Sequence, residues 1–295
     1  MRPVRSIARA TALEILSEPL TLLVLLAALA IAVLAPAFHY HQFGEPTRMA
    51  RDAGLSSLFT GGLVVAVFGT IRSFRREIES GTMSMALAHS VSRTGFFLAK
   101  ALGALEAYLA FAAVVFCVLL VIVDGAAIGG EIARQSGDIA RLYGPRLAEG
   151  VGVIVLPLVA AAGLNRFGHV RFVRTAFILA LAPALGCAAL SAVRGVTWVL
   201  RLLPVAALVV VFTSVLLAAA AALAVRLKAN VAASVAGLLF LAAVPAVGNY
   251  YLPDALAKGG TVSWSYVALA TLAAVPALFL FLMLGICFIN GRDIR

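Results

Sequence analysis

Eight apolar runs divide the chain, and the polar segments between them are mostly short. A helix needs about 20 apolar residues to cross a hydrocarbon core of about 30 Å. Leu20–Phe38, Ala53–Ile71, Phe96–Val123, Thr175–Val193, Leu202–Val225, Val231–Tyr250 and Trp264–Asn290 approach or exceed that length. Val151–Leu164 is shorter and holds Pro157, so it reads as a short tilted span or a re-entrant piece. The pattern predicts an all-α polytopic membrane protein, a bundle of six to eight transmembrane helices forming a single domain over 1–295. The lower count applies if Val151–Val193 is a re-entrant or surface hairpin.

The polar segments refine this picture. Residues 1–19 read as an interfacial helix, with Arg2, Arg5 and Arg9 on one side and Val4, Ile7, Leu13 and Leu16 in the headgroup region. This start imitates a secretory signal. The run Leu20–Phe38 exceeds a usual signal core of about 7–15 residues, however, and an uncleaved first span is expected. Segment 72–95 lies between the second and third spans and carries Arg72, Arg75, Arg76 and Arg93 against Glu77 and Glu79. Gly81 with Thr82 is expected to end a short helix beginning near Ser73, because glycine weakens helix interiors and threonine favours turns. Gly61, Gly62 and Gly69 give the second span a thin side that admits a neighbour. Asp124–Gly150 is the longest polar connection and is expected as an outer loop, part of an insertion over 124–201 that includes an extra hairpin.

Charge orients the bundle. Lys and Arg collect on the cytoplasmic side of membrane helices, and segments placed inside carry about twice as many of them as those placed outside. Both termini and segment 72–95 are then cytoplasmic. Composition agrees: 63% hydrophobic and 12% charged residues, with a mean hydropathy of +1.07, stand far from the roughly 45–50% and 25% of soluble domains. The net charge of +10 is spread in short runs between spans instead of forming one basic face, which argues against a nucleic-acid partner.

Candidate chemistry is sparse. No GxxxxGK[ST] phosphate loop occurs and no polar segment is long enough to fold as a nucleotide-binding domain. HExxH and GxSxG are absent too, so an intramembrane enzyme is not expected. His39 and His41 flank Tyr40 without further ligands nearby, and the trio reads as an interfacial anchor. Cys117, Cys187 and Cys287 sit singly in apolar runs and read as small buried hydrophobes. Glu106 lies inside the third span, where an ionisable group is costly and marks a candidate functional position. Arg194 and Arg201, seven residues apart, share a helix face on the outer side. These three are the candidate substrate-path residues.

The run FRREIESGTMSMALAHSVSRTGFFLAKALG, from Phe74 to Gly103, resembles the loop between the second and third spans of type-2 ATP-binding-cassette (ABC) permeases. That loop commonly reads E-x-E-x-G-T, a leucine-rich stretch, [PV]-[SV]-[SR]-R, an aromatic pair and K-x-[LI]-G. Glu77, Glu79, Gly81, Thr82, Val91, Ser92, Arg93, Phe96, Phe97, Lys100 and Gly103 fill the pattern. The entry ALEILSEPL, the basic turn Val225–Asn230 and the ending FINGRDIR are similar to other parts of such permeases, including the group that serves nitrous-oxide-reductase maturation. Family members of this size usually have six spans, and the 124–201 segment departs from that plan.

The resemblance implies the permease subunit of an ATP-driven transporter, working as an exporter in the bacterial cytoplasmic (inner) membrane. It implies a dimer with a second permease copy or homologue, resting on a separate cytoplasmic ATPase dimer that binds ATP and Mg. This chain itself would hold no cofactor and catalyse nothing. Arg75, Arg76, Glu77, Glu79, Gly81, Thr82 and Arg93 would then form the ATPase-coupling segment. A complex that transmits ATPase motion to an extracytoplasmic accessory protein, and a secondary transporter, are the alternatives.

Overall fold

The computed structural model describes residues 2–34, 46–81, 91–136, 139–168, 171–193, 198–239 and 262–291, and every regular element among them is helical. In chain order these are α1 (Arg2–Leu16), α2 (Pro19–Leu34), α3 (Pro46–Val64), a five-residue π segment (Val65–Gly69), α4 (Thr70–Glu79), α5 (Arg93–Ser136), α6 (Ile139–Gly168), α7 (Phe172–Val193), α8 (Trp198–Arg226), α9 (Ala229–Leu239) and α10 (Trp264–Asn290). Among the described residues, Ala50–Glu79, Arg93–Val123, Arg201–Arg226 and Trp264–Asn290 are long and apolar enough to cross a membrane. The pair α1 and α2, interrupted at Ser17 and Glu18, adds a fifth if counted as one broken span. Ile154–Gly168, Phe172–Gly186 and Ala229–Leu239 are apolar but shorter. These helices mark a membrane protein.

Two expectations about boundaries are corrected. No separate helix begins near Ser73: α3, the π segment and α4 run on from Pro46 to Glu79, so the start of segment 72–95 is the end of a span. The polar connection Asp124–Gly150 is helical on either side of positions 137 and 138, since α5 continues to Ser136 and α6 starts at Ile139. Beyond Ile71 the chain keeps arginine and glutamate, which are good helix formers, so the first helix runs past the hydrocarbon edge; the helix past Val123 continues through Gly125, Gly129 and Gly130, which propensity does not explain. Pro204 and Pro276 lie within α8 and α10 without ending them, as neighbouring groups in a bundle permit.

The chain divides into two compact units. The first comprises Met1–Ile15, Gly62–Leu109 and Ala207–Arg295. Its core sets Val67, Ile71, Phe74, Phe96 and Phe97 against the small residues Ala220, Ala221 and Ala224 of α8. Small residues let bulky neighbours approach a helix axis, which is how apolar helices gain contact without a hydrophobic driving force between them. The rings of Phe74 and Phe97 lie 5.6 Å apart at 50°, and the Phe97 ring fills the space beside Gly285. α8 passes to α9 through Leu227 and Lys228 alone, so the expected tight basic turn is present.

The second unit comprises Leu16–Gly61 and Ala110–Ala206. α6 and α7 form a hairpin, and Leu22 of α2 packs with Ala161 and Ala176 of its two arms. The thin side of α3 is used here as expected: a methyl added at Gly61 would stand 2.8 Å from the Phe111 ring and 3.4 Å from Ala28. Arg51, only 8% exposed in its side chain, pairs with Asp52 at 2.9 Å.

Candidate functional site

The first unit carries a group of charged side chains around the end of α4. Helical spacing brings Ser73 and Glu77 to one face, where they meet α1 and α5. Lys100 of α5 is fully buried. Its Nζ pairs with Glu77 Oε1 at 2.8 Å and donates to the Ser73 backbone oxygen at 3.0 Å. The same ammonium stands 5.4 Å and 5.9 Å from the ring centres of Phe74 and Phe96, within reach of a cation–π attraction. Ser73 Oγ in turn donates to Glu14 Oε2 of α1 at 3.0 Å, and Arg76 Nη1 lies 3.5 Å from Glu14 Oε1. One buried cation therefore ties α4 to α5, and one carboxylate ties α4 to α1.

The remaining charged groups face outward or along the helix. Arg75 Nη2 and Glu79 Oε1 are 2.6 Å apart within α4, a four-residue pairing with Glu79 well exposed. Such pairs contribute a few tenths of a kcal/mol. Arg93 Nη1 donates to the Asn290 carbonyl at 3.1 Å, which joins the start of α5 to the end of α10. Ser92 caps α5 by accepting from the Gly95 amide at 3.1 Å. α4 ends at Ser80, whose amide donates to the Arg76 carbonyl, and Gly81 then adopts φ 71°. That left-handed conformation is the usual helix stop and favours glycine. The break expected at Gly81 is there; Thr82 lies outside the described residues.

α1 fits against α5 by a close backbone approach. A Cβ at Gly103 would collide with the Ala8 carbonyl and the Thr11 side chain. The buried face of α1 is Ala8, Thr11, Ala12 and Ile15, with Ile7 packed on the core cluster. The helix expected to lie in the headgroup region is thus half covered by protein.

The other singled-out residues are placed differently. Glu106 is exposed on α5, between the exposed Leu102 and Leu109. Arg201 is exposed at the start of α8, where it has an interaction partner; Arg194 lies outside the described residues, as do His39, Tyr40 and His41. Cys117 is buried, but Cys287 is exposed on α10, against the expectation of burial. Sequence reasoning had no place for Glu14, and took Lys100 only as a residue of the loop pattern. The signal for Glu14 was present: it is the only acidic residue in a helix that opens with Arg2, Arg5 and Arg9.

Glu77, Lys100 and Gly103, which lie at the two ends of the motif run Phe74–Gly103, share one structural task. They hold α4 and α1 against α5. No protein-family model, curated protein or solved structure matches the chain.

Proposed function

We propose that the chain is the membrane subunit of an ATP-driven transporter of the ABC type, working as an exporter with a separate ATPase. The observation that carries this reading is the pinning of α4. α4 forms the last ten residues of the long helix Ala50–Glu79, ends at the Gly81 turn, and is fastened to α5 by the Glu77–Lys100 pair. A stem built this way passes a push on its tip to two spans together, because a packed, hydrogen-bonded helix moves as a body. A polar loop tied only by intrahelical pairs would absorb the same push.

In this reading the stem projects into the cytoplasm, both chain ends lie on that side, and six to eight spans cross a bacterial cytoplasmic membrane. Arg76 and Glu79 present the coupling surface, braced by Arg75, and Gly81 and Arg93 shape the turn and its return; Thr82 belongs to the coupling segment by the resemblance alone. Glu77 acts inward and holds the stem in place. ATP and Mg belong to the partner subunit.

Extraction of the tagged chain in mild detergent tests the reading. A stoichiometric ATPase subunit that hydrolyses ATP and is lost on replacing residues 77–82 is the expected result. A chain that remains alone, and that supports flux by itself in proteoliposomes, would replace this reading with a secondary transporter.

A further inference from the structure

The hairpin of α6 and α7 carries its basic charge in one place. From Val151 to Val193 the sequence holds no Asp or Glu, and Arg166, Arg171 and Arg174 are its only Arg or Lys residues. α6 ends at Gly168 and α7 begins at Phe172, so the three arginines stand together at the turn end. Thr175 donates to the Arg171 carbonyl from its amide at 3.1 Å and from its hydroxyl at 3.0 Å, which holds Arg171 to the first turn of α7. All three arginines are exposed, and the hairpin has no carboxylate to pair with them.

Each arm also presents apolar surface that runs down to these charges. Helical spacing puts Val155, Val159 and Arg166 on one exposed stripe of α6, and Arg174, Ile178 and Leu185 on one exposed stripe of α7. The other sides of the two arms are packed, through Ala161 and Ala176, against Leu22 of α2. Next to the arginines, Phe167 is 85% exposed and Leu164 47%. Apolar stripes alone suit hydrocarbon, and arginines alone suit water or an acidic protein. Both in this order, on each of two arms, match the step from acyl chain to phosphate at the edge of a bilayer. The guanidinium fork matches a phosphate with two hydrogen bonds. A zwitterionic headgroup brings an ammonium that three unneutralised arginines repel, whereas an anionic headgroup brings none.

We infer that the turn end of the α6–α7 hairpin binds an anionic phospholipid of the surrounding bilayer, with Arg166, Arg171 and Arg174 holding the headgroup and the apolar stripes of both arms receiving its chains. The inference rests on the membrane-spanning reading of the chain and not on ATPase coupling. Phe167 marks the depth of the site, since a bulky ring this exposed is at home only where the chains begin.

The test uses the full-length chain carrying W198F and W264F, so that F167W supplies its one tryptophan, reconstituted in mixed bilayers. Quenching by phosphatidylglycerol brominated in its chains is compared with quenching by phosphatidylcholine brominated in the same way. Each basic residue near an anionic surface favours binding by about fivefold, so phosphatidylglycerol is expected to be preferred at the reporter by at least about tenfold. R166Q/R171Q/R174Q should bring the two lipids within about twofold of each other. K228Q, which removes an exposed charge from the turn between α8 and α9, should leave the preference unchanged. Raising the salt concentration should shrink the preference of the chain with its arginines intact, a measurement that holds even if the triple variant fails to fold. Equal quenching by the two lipids, a preference that survives the triple change or high salt, or a reporter that neither lipid reaches because an acidic protein covers it would each overturn the inference. Because no ATPase is needed, failure here leaves the coupling reading standing, and loss of the ATPase partner leaves this site standing.

Discussion

Lys100 shows how one residue can carry more than its position suggests. A buried ammonium costs several kcal/mol of lost hydration and is tolerated only with good partners; here they are the Glu77 carboxylate, the Ser73 carbonyl and two aromatic faces. Removing one partner of such a pair is costlier than the pair is worth, since the other is left behind uncompensated. K100M should therefore destabilise by about 3 kcal/mol in detergent. E77Q should cost at least as much, because it leaves the fully buried Lys100 ammonium without its carboxylate, whereas K100M leaves behind Glu77, whose side chain is 28% exposed and open to water. The double variant should fall short of the sum of the two, and a double-mutant cycle of thermal unfolding measures the difference. Independent, additive effects would show that the pair is not coupled. Lys100 was legible as a motif residue. Its burial was not, because the groups that solvate it come from α4, 23–27 residues earlier, and a linear pattern carries no record of that encounter.

At the scale of the element, glycines separate packing from flexibility. Gly103 sits where the α1 backbone crosses, and the atom a methyl would meet is the Ala8 carbonyl, which no rotamer change can move. G103A should cost about 1–3 kcal/mol, as overpacking does, and should loosen α1, read as faster amide exchange over residues 4–15. Gly163 has nothing within 4 Å, so G163A should leave stability unchanged or raise it by about 0.5–1 kcal/mol through the better helix propensity of alanine. Equal effects of the two changes would show that α1 does not press on α5. The helices themselves were readable from the apolar runs, but their ends were not. Glu77 and Glu79 read as loop charges because charge and the membrane edge coincide there, whereas helix propensity continues past the edge to Ser80. The π segment Val65–Gly69 added a further hidden step, a local widening common at functional positions that periodicity alone does not reveal; at its end the Thr70 amide returns to the tighter pattern with the Ala66 and Val67 carbonyls.

Across the whole molecule, composition settled the class, since a chain this apolar has only lipid or its own helices to bury against. It did not settle the number of crossings. The six to eight expected compare with four long apolar helices among the described residues, or five with the broken pair, because runs such as Ile154–Gly168 are near the length at which span and hairpin look alike. If the complex couples through the α4 stem, G81A should disturb coupling more than folding. A side chain at φ 71° costs about 1–2 kcal/mol locally, so thermal stability should shift little while ATP turnover of the purified complex falls several-fold. Unchanged turnover would place the coupling contact elsewhere. The stem also carries its own clock. The chain has three lysines, Lys100, Lys228 and Lys258, and Lys100 is fully enclosed. An amine-reactive probe can reach it only while the stem is lifted from α5. The rate of its acylation, followed by peptide mass and normalised to Lys228, would time each excursion, and a rate that quickens with ATP would turn a silent buried residue into a record of how often the machine moves.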